Sequence, residues 1–465
     1  MNPQSGYRSL TPPLIGRLIE IAGEPNVILD EGRENYARDE APHSGSFLPE
    51  VVIKPENSAV ISQILELANQ NHIPVTPRGA GTGISGGSVP IFGGISLSLE
   101  KMNHILEIDE ANFCLTSEPG VILTDLCAAA ERRGLYYPLY PGEMSATIGG
   151  NVATNAGGMR AVKYGVTRNF VLGLDAVLPT GEIIQAGGKY IKSSTGYDLT
   201  QLLVGSEGTL AVITRVILKL ITPPGSRELI LIPFNSLSEA IGMVPVILKE
   251  KILPVSIEFM EQDILHLVQE YTGKDFPLKN YPAYLMLMIE SESAEEFYRV
   301  SEHLNDLCLK HGAVDVFVPG SEAAKRRLLE LREKFYPTMQ HRGMLDIADV
   351  VVPRSRIAEF VGAVKEISRR YAIPVMAYGH AGDGNVHLHP LSQSTDRDAR
   401  VKDLLAEIYK VGIALGGTIS GEHGLGSEKK AYLPLAATPE KLDLMRRLKL
   451  AFDPNQIMNP GKMLA

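Results

Sequence analysis

Two hydrophobic periods interleave along the chain. Short stretches alternate with period two, as in half-buried strands, and longer ones repeat near 3.6, as in amphipathic helices. Val51-Val-Ile-Lys-Pro reads as a short apolar strand. Asn57-Ser58 caps a helix from Ala59 to Asn71, apolar at 59, 60, 61, 64, 65, 67 and 68, and Ile73-Pro-Val-Thr is the next strand. Ile95–Leu99 and Phe113–Glu118 alternate as strands, and Ile122–Arg133 reads as a helix stopped by Gly134. Residues 11–45 read as short helices and loop. Thr222-Pro-Pro-Gly225 marks a boundary. Beyond it strands are predicted at 255–259, 285–290, 314–318, 350–352, 375–378 and 386–389, and helices at 236–249, 294–311, 321–341, 355–371 and 395–414. The pattern predicts an α+β protein whose second part is an antiparallel sheet with helices.

Composition narrows the class. The 465 residues are 44% hydrophobic and 21% charged, ordinary for globular domains and long enough for two or three of them. The net charge of −9 disfavours nucleic acid and anionic membrane as main partners. Three scattered cysteines, Cys114, Cys127 and Cys308, cannot build a disulfide framework or ligate a four-thiolate iron–sulfur cluster. With no basic-then-apolar leader and no run of eighteen apolar residues, a soluble cytoplasmic protein is expected.

Three clusters of small residues interrupt the first half: residues 77–88, 141–158, and 192–198 with 205–209. The first, Pro77-Arg-Gly-Ala-Gly-Thr-Gly-Ile-Ser-Gly-Gly-Ser88, contains a literal G-x-G-x-x-G at Gly81, Gly83 and Gly86. A Rossmann turn must open a helix, and Gly87, Pro90, Gly93 and Gly94 forbid one here. A loop whose N–H groups turn inward to cradle phosphate is expected instead. Arg78, at its entry, could pair with a carboxylate or phosphate. Three such loops imply a large cofactor touched at many points.

The second half carries Tyr378-Gly-His-Ala-Gly-Asp-Gly-Asn-Val-His-Leu-His389, with three of the eleven histidines. Asp383-Gly384 suggests a two-residue hairpin turn, which would set His380 directly opposite His387, with His389 on the same face. Two facing imidazoles can clasp a divalent metal, or can pair with each other as structural histidines. Further on, Gly417-Thr-Ile-Ser-Gly-Glu-His-Gly-Leu-Gly426 places Glu422 and His423 side by side. In extended chain they would point to opposite sides, one toward a metal and one toward a substrate.

Pro77–Gly83, Ala146-Thr-Ile-Gly-Gly-Asn151, Asn155-Ala-Gly-Gly158, Thr195-Gly-Tyr-Asp-Leu199 and Ser206-Glu-Gly-Thr209 together resemble the FAD-binding domain of the vanillyl-alcohol oxidase flavoproteins. The likeness is strongest to the branch of D-lactate, glycolate and D-2-hydroxyglutarate dehydrogenases, and runs from about Pro49 to Lys462. It implies a two-part FAD-binding domain of the PCMH type at 46–222 after an N-terminal extension at 1–45. A substrate and metal-binding α+β cap follows at 223–424, and a C-terminal segment at 425–465 returns to the FAD domain. FAD would meet Gly79, Ala80, Gly81, Thr82, Gly83, Ser85, Gly86 and Gly87 at its pyrophosphate. Along ribityl and isoalloxazine it would meet Gly142, Ser145, Thr147, Gly149, Gly150, Asn155, Gly157 and Gly158. Glu207, Gly208 and Ile213 would lie toward the adenine and pyrophosphate end, with Asn459 from the returning tail. Members that bind FAD covalently use a histidine where this chain has Thr82, so non-covalent FAD is expected.

The same resemblance makes His380, His387 and Glu422 ligands of a divalent metal, zinc or iron, and His423 the catalytic base. It makes Arg332, in Leu331-Arg-Glu333, the residue that holds the substrate carboxylate. His389 and Arg78 remain further candidates for substrate contact. The D-2-hydroxyglutarate branch carries a lysine where this chain has Ile347-Ala-Asp349, which favours a small monocarboxylate, D-lactate or glycolate. The expected reaction is oxidation of a D-2-hydroxy acid to the 2-oxo acid by hydride transfer to flavin N5. Electrons would pass to an electron-transfer flavoprotein or iron–sulfur subunit, and the chain is a candidate homodimer. D-2-hydroxyglutarate oxidation, a non-redox alkylglycerone-phosphate synthase-like activity, and a flavin-holding or nucleotide-binding module without redox chemistry are the alternatives.

Overall fold

The computed structural model describes residues 6–392 and 399–464. The described chain forms two compact units, one of residues up to Gly157, Val166–Pro223 and Glu422 onward, the other of Gly158–Gly165 and Pro224–Gly421.

The first unit contains two sheets. One pairs β1 (Val27–Ile28), β2 (Val51–Ile53), β4 (Ile95–Ser98) and β3 (Val75–Arg78) in that order. β1 is antiparallel to β2, and β2, β4 and β3 are mutually parallel. The helix Ser58–Asn71 carries the chain from β2 to β3, and residues 79–94, with the first glycine loop, carry it from β3 to its parallel partner β4. Asn57 caps that helix by accepting the Val60 N–H at 3.0 Å. Its buried face, Ile61, Ile64, Leu65 and Ala68, packs on Val51, Ile53 and Val75. The same core takes Leu18 from the helix Pro12–Ala22 and Ile457 and Met458 from the far end of the chain. The second sheet is antiparallel, in the order β5 (Ile105–Asp109), β6 (Cys114–Ser117), β9 (Val212–Lys219), β7 (Val171–Val177), β8 (Ile183–Gly187).

The second unit is built on one six-stranded antiparallel sheet. Its order is β10 (Ser226–Phe234), β12 (Ala283–Ser291), β11 (Ser256–Glu261), β14 (Val375–His380), β15 (Asn385–Pro390), β13 (Ala348–Val351). Helices Gln262–Thr272, Glu322–Glu333 and Phe335–His341 bury Leu265, Leu331, Phe335 and Met339 against Leu231, Met260, Met286 and Tyr378 of the sheet.

The pattern reading missed β1, β5, β7, β8, β9 and β10 and the helices Ile148–Thr154, Gln262–Thr272 and Pro439–Phe452. β9 and β10 are buried on both faces over most of their length, so they read as continuous apolar runs rather than alternations. The strand expected at 314–318 forms only an isolated bridge, Leu231 to Phe317. The single helix expected at 321–341 is two, parted at Lys334. Of the helix expected at 395–414, Ala399–Ala414 is helical, and 395–398 lie outside the described residues.

Candidate active site

The first glycine loop is held by its carbonyls. The oxygen of Gly83 accepts from the Glu40 N–H at 3.0 Å, and that of Ser85 from the Ser427 N–H at 3.0 Å. Those of Gly86, Gly87 and Val89 accept from Ser427 Oγ, Asn459 Nδ2 and Lys462 Nζ. Among the described residues, none of the backbone N–H groups of 79–87 donates to a protein acceptor. A loop with its oxygens tied on one side and its N–H groups left over on the other is a donor surface for an anion. A Cβ built at Gly87 would enter open space, and at Gly83 it would meet only Asp39 Oδ2, at 3.8 Å.

Several residues expected at the cofactor or substrate make protein contacts of their own. Arg78 is buried and donates to the carbonyls of Arg38, at 2.9 Å, and Asn35, and to Ser88 Oγ. Its guanidinium fills the space a Cβ of Gly81 would need, so it locks the loop entry and the expected anion contact is not kept. Glu207, at φ +52°, spends both carboxylate oxygens on the N–H groups of Leu425 and Gly426, at 2.8 and 2.7 Å. Burial pushes its carboxyl pKa up. Asn459 bridges the carbonyls of Gly87 and Glu207, at 2.8 Å each. Thr147 caps the helix Ile148–Thr154, accepting from Gly150, and its Oγ1 would lie 2.3 Å from a Cβ at Gly79. Asn155, at φ +53°, ends that helix, and Gly149 is pressed on Pro119. Ala80, Gly142 and Ser145 are exposed, and Ile213 is buried in β9.

In the second unit the histidine hairpin closes differently from the expected turn. The loop has four residues, 381–384, and only Gly384 takes positive φ, at +97°. His380 faces Asn385, His387 faces Tyr378 and His389 faces Met376. The register therefore moves by two residues. A slip of one would have reversed the faces, whereas two preserves them. His380 and His387 become diagonal neighbours on one face, with ring centroids 5.0 Å apart and Nε2 atoms 3.3 Å apart.

Both rings are backed by buried acids from neighbouring strands. Glu258 of β11 lies opposite His380, with its Oε1 2.6 Å from His380 Nδ1. Asp349 of β13 lies opposite His387, with its Oδ1 3.6 Å from His387 Nδ1. At His380 the carboxylate within hydrogen-bond distance of Nδ1 favours the Nδ1–H tautomer and leaves the Nε2 lone pair outward, and at His387 the nearby charge of Asp349 acts in the same direction. Two lone pairs then face each other. Two nitrogens each about 2.0–2.1 Å from one tetrahedral ion lie about 3.3–3.4 Å apart, close to the observed spacing. The donor set fits a divalent cation.

Glu258 also takes Arg332, whose Nε and Nη2 both donate to Oε2, at 3.0 and 2.5 Å. Burial alone would raise the Glu258 carboxyl; His380 and Arg332 hold it well below the ordinary range. The two-bonded grip expected between Arg332 and a substrate carboxylate is thus taken by a carboxylate of the chain itself, because a buried acid must be paired. His389 is fully buried, stacked on Tyr378 and 3.0 Å from its hydroxyl. Glu258 and Asp349 escaped notice in the sequence. Their one signal was a lone acid inside an apolar strand, Ser256-Ile-Glu-Phe and Ala348-Asp-Val-Val.

Asp349 Oδ2 accepts the Gly421 N–H, at 2.9 Å, and the Ser420 hydroxyl, at 3.0 Å. Glu422 is the next residue along the chain. At 421–423 the backbone bends, so Glu422 and His423 do not diverge as expected. His423 Nε2 lies 3.7 Å from Glu422 Oε1. Ser85 Oγ holds the His423 carbonyl at 2.9 Å, and a Cβ at Gly157 would lie 2.9 Å from Glu422 Oε2.

Comparison with known proteins gives this geometry its context. Residues 223–463 match the family described as FAD linked oxidases, C-terminal domain, and residues 49–187 match FAD binding domain. A D-lactate dehydrogenase of Anaerostipes hadrus is 40% identical, over 98% of each chain. The glycolate oxidase subunit GlcD of Bacillus subtilis is also 40% identical, over 98% of this chain and 97% of that one. The chain belongs to the FAD-linked oxidases. A solved structure of p-cresol methylhydroxylase shares the fold, with a TM-score of 0.79 at 16% identity over 98% of both chains. As an FAD-dependent oxidoreductase, this FAD-linked oxidase needs a site for a diphosphate, and the unspent donors of 79–87 fit one. No described helix is long and apolar enough to cross a membrane.

Proposed function

We propose that this FAD-linked oxidase oxidises a small D-2-hydroxy acid, D-lactate or glycolate, to the 2-oxo acid. The facing Nε2 atoms of His380 and His387, each backed by a buried acid, are the observation that carries the reading. With Glu422 as third ligand they would hold a divalent ion, zinc or iron. When bound, that ion supplies Lewis acidity and FAD supplies a two-electron acceptor. His423 accepts the hydroxyl proton at Nε2, since imidazole titrates nearest neutral pH. Arg332 and Asp349 act through the histidines, fixing ring orientation. His389, fully buried and stacked on Tyr378, supports the sheet face that carries His387 and acts on the acid only through it. The absence of a lysine near Ile347-Ala-Asp349, where the D-2-hydroxyglutarate branch carries one, favours a monocarboxylate over a diacid. The relatives' names support lactate or glycolate, and an electron-transfer flavoprotein or iron–sulfur subunit remains the proposed acceptor.

The test is an anaerobic titration of purified protein with D-lactate, L-lactate, glycolate and D-2-hydroxyglutarate, with metal analysis of the same sample. Bleaching of the flavin by D-lactate or glycolate, with about one metal ion per chain, is expected. Bleaching by D-2-hydroxyglutarate alone would reverse the substrate proposal. Replacing His423 by Ala should leave flavin and metal content intact and lower turnover about 10²–10⁴-fold.

A further inference from the structure

The last described residues of the chain are woven beneath the first glycine loop. Val75 N–H donates to Ile457 O at 2.8 Å, and Asn459 N–H to Val75 O at 2.7 Å. Asn459 Nδ2 holds Gly87 O. Lys462, 3% exposed, donates to the carbonyl of Val89. That carbonyl is neutral. Among the described residues, no carboxylate lies within ion-pair distance of Lys462 Nζ. The charges that reach it, Asp39, Glu207 and Glu428 in favour and Lys430 against, act from farther off. Burial pushes up the carboxyls of Asp39 and Glu207, which weakens them as counterions. A buried ammonium without a contacting acid is costly. Lys462 thus holds the oxygen side of the loop, whose nine consecutive peptide N–H groups at 79–87 have no protein acceptor among the described residues. Both features, an uncompensated buried cation under the loop and unspent donors on it, favour an anion bound at this loop.

We propose that Lys462 is a positioning residue for the cofactor diphosphate: it fixes the glycine loop through Val89 and supplies the buried positive charge that a bound diphosphate compensates. The C-terminal tail is then a clasp whose electrostatic strain is relieved by FAD. This rests on the FAD assignment and adds a residue that the glycine motifs do not contain.

The test compares full-length wild-type, Lys462→Met and Lys462→Arg holoenzymes. The rate of flavin release on dilution is followed by fluorescence, and urea unfolding is measured on the flavin-free full-length chains. Lys462→Met should release flavin about tenfold faster or more, a difference of about 1.4 kcal/mol. Its flavin-free chain should be at least as stable as wild type, since a buried charge is gone. Lys462→Arg should stay within about threefold of wild type in release. A wild-type release rate in Lys462→Met would overturn the proposal. So would equal loss of flavin-free stability and flavin retention, which marks a merely structural lysine. Wild-type protein that takes up no FAD would overturn the cofactor assignment and the clasp together.

Discussion

Glu258 links two side chains that sequence order keeps far apart. One of its carboxylate oxygens meets His380 and the other Arg332. Glu258→Gln should leave Arg332 without its counter-charge and turn an obligate acceptor at His380 into an ambiguous amide. Metal affinity is expected to fall about 10–100-fold, the range for losing the outer partner of a metal-binding histidine. Zinc titration of flavin-loaded protein measures it, and unchanged affinity would remove Glu258 from the site. Lys462 makes a pH prediction. Burial draws its pKa down to about 8 from 10.5. The unfolded chain then binds that proton more tightly than the folded one. The folded state bears the full penalty below pH 8 and sheds it as pH rises to 10.5. Flavin-free wild type should therefore gain on the order of 3 kcal/mol over Lys462→Met across that window, read by urea unfolding at each pH.

At the scale of elements, the β14–β15 hairpin and the first glycine loop were legible to different depths. The shared face of His380, His387 and His389 follows from the period of two together with an assumed two-residue turn, and it survives because the true register differs by an even number of residues. The turn itself does not, because Ala381–Gly384 is shaped by contacts from elsewhere. A Cβ at Gly384 would lie 2.1 Å from the Val352 carbonyl, and one at Gly382 would strike Val162. In the glycine loop, the same residue type serves two purposes. Gly81 and Gly86 are small because protein atoms crowd them, whereas Gly87 faces open space. Gly87→Ala should therefore leave urea stability of the flavin-free chain within about 1 kcal/mol of wild type while weakening FAD binding, measured by flavin fluorescence. Equal FAD affinity would place the cofactor elsewhere.

For the whole molecule, the two units carry different halves of the proposed chemistry, and chain order alone does not sort them. Glu422 and His423 belong to the unit of the glycine loops, while Gly421, one residue earlier, is tied to Asp349 in the other. Thr82 stands where, by the family resemblance, covalent members carry histidine, so non-covalent FAD is expected. Acid denaturation should release all yellow colour into the supernatant, and flavin left on the precipitated chain would refute this.

What the sequence determined by itself was local: the β-α-β entry, a glycine-rich loop at 77–88 that opens no helix, the shared face of the histidines, and the family. These follow from periodicity, from backbone freedom at glycine and from short spacings, which act over a few residues. Only the tertiary structure decided that Glu258 and Asp349 back the imidazoles, that Arg332 and Arg78 are committed to protein partners, and that Lys462 lies under the loop. Each depends on strands or tails brought together across long stretches of chain. Burial then forces every charged group to find the acceptor or donor that lies beside it in space, not the one suggested by its neighbours in sequence.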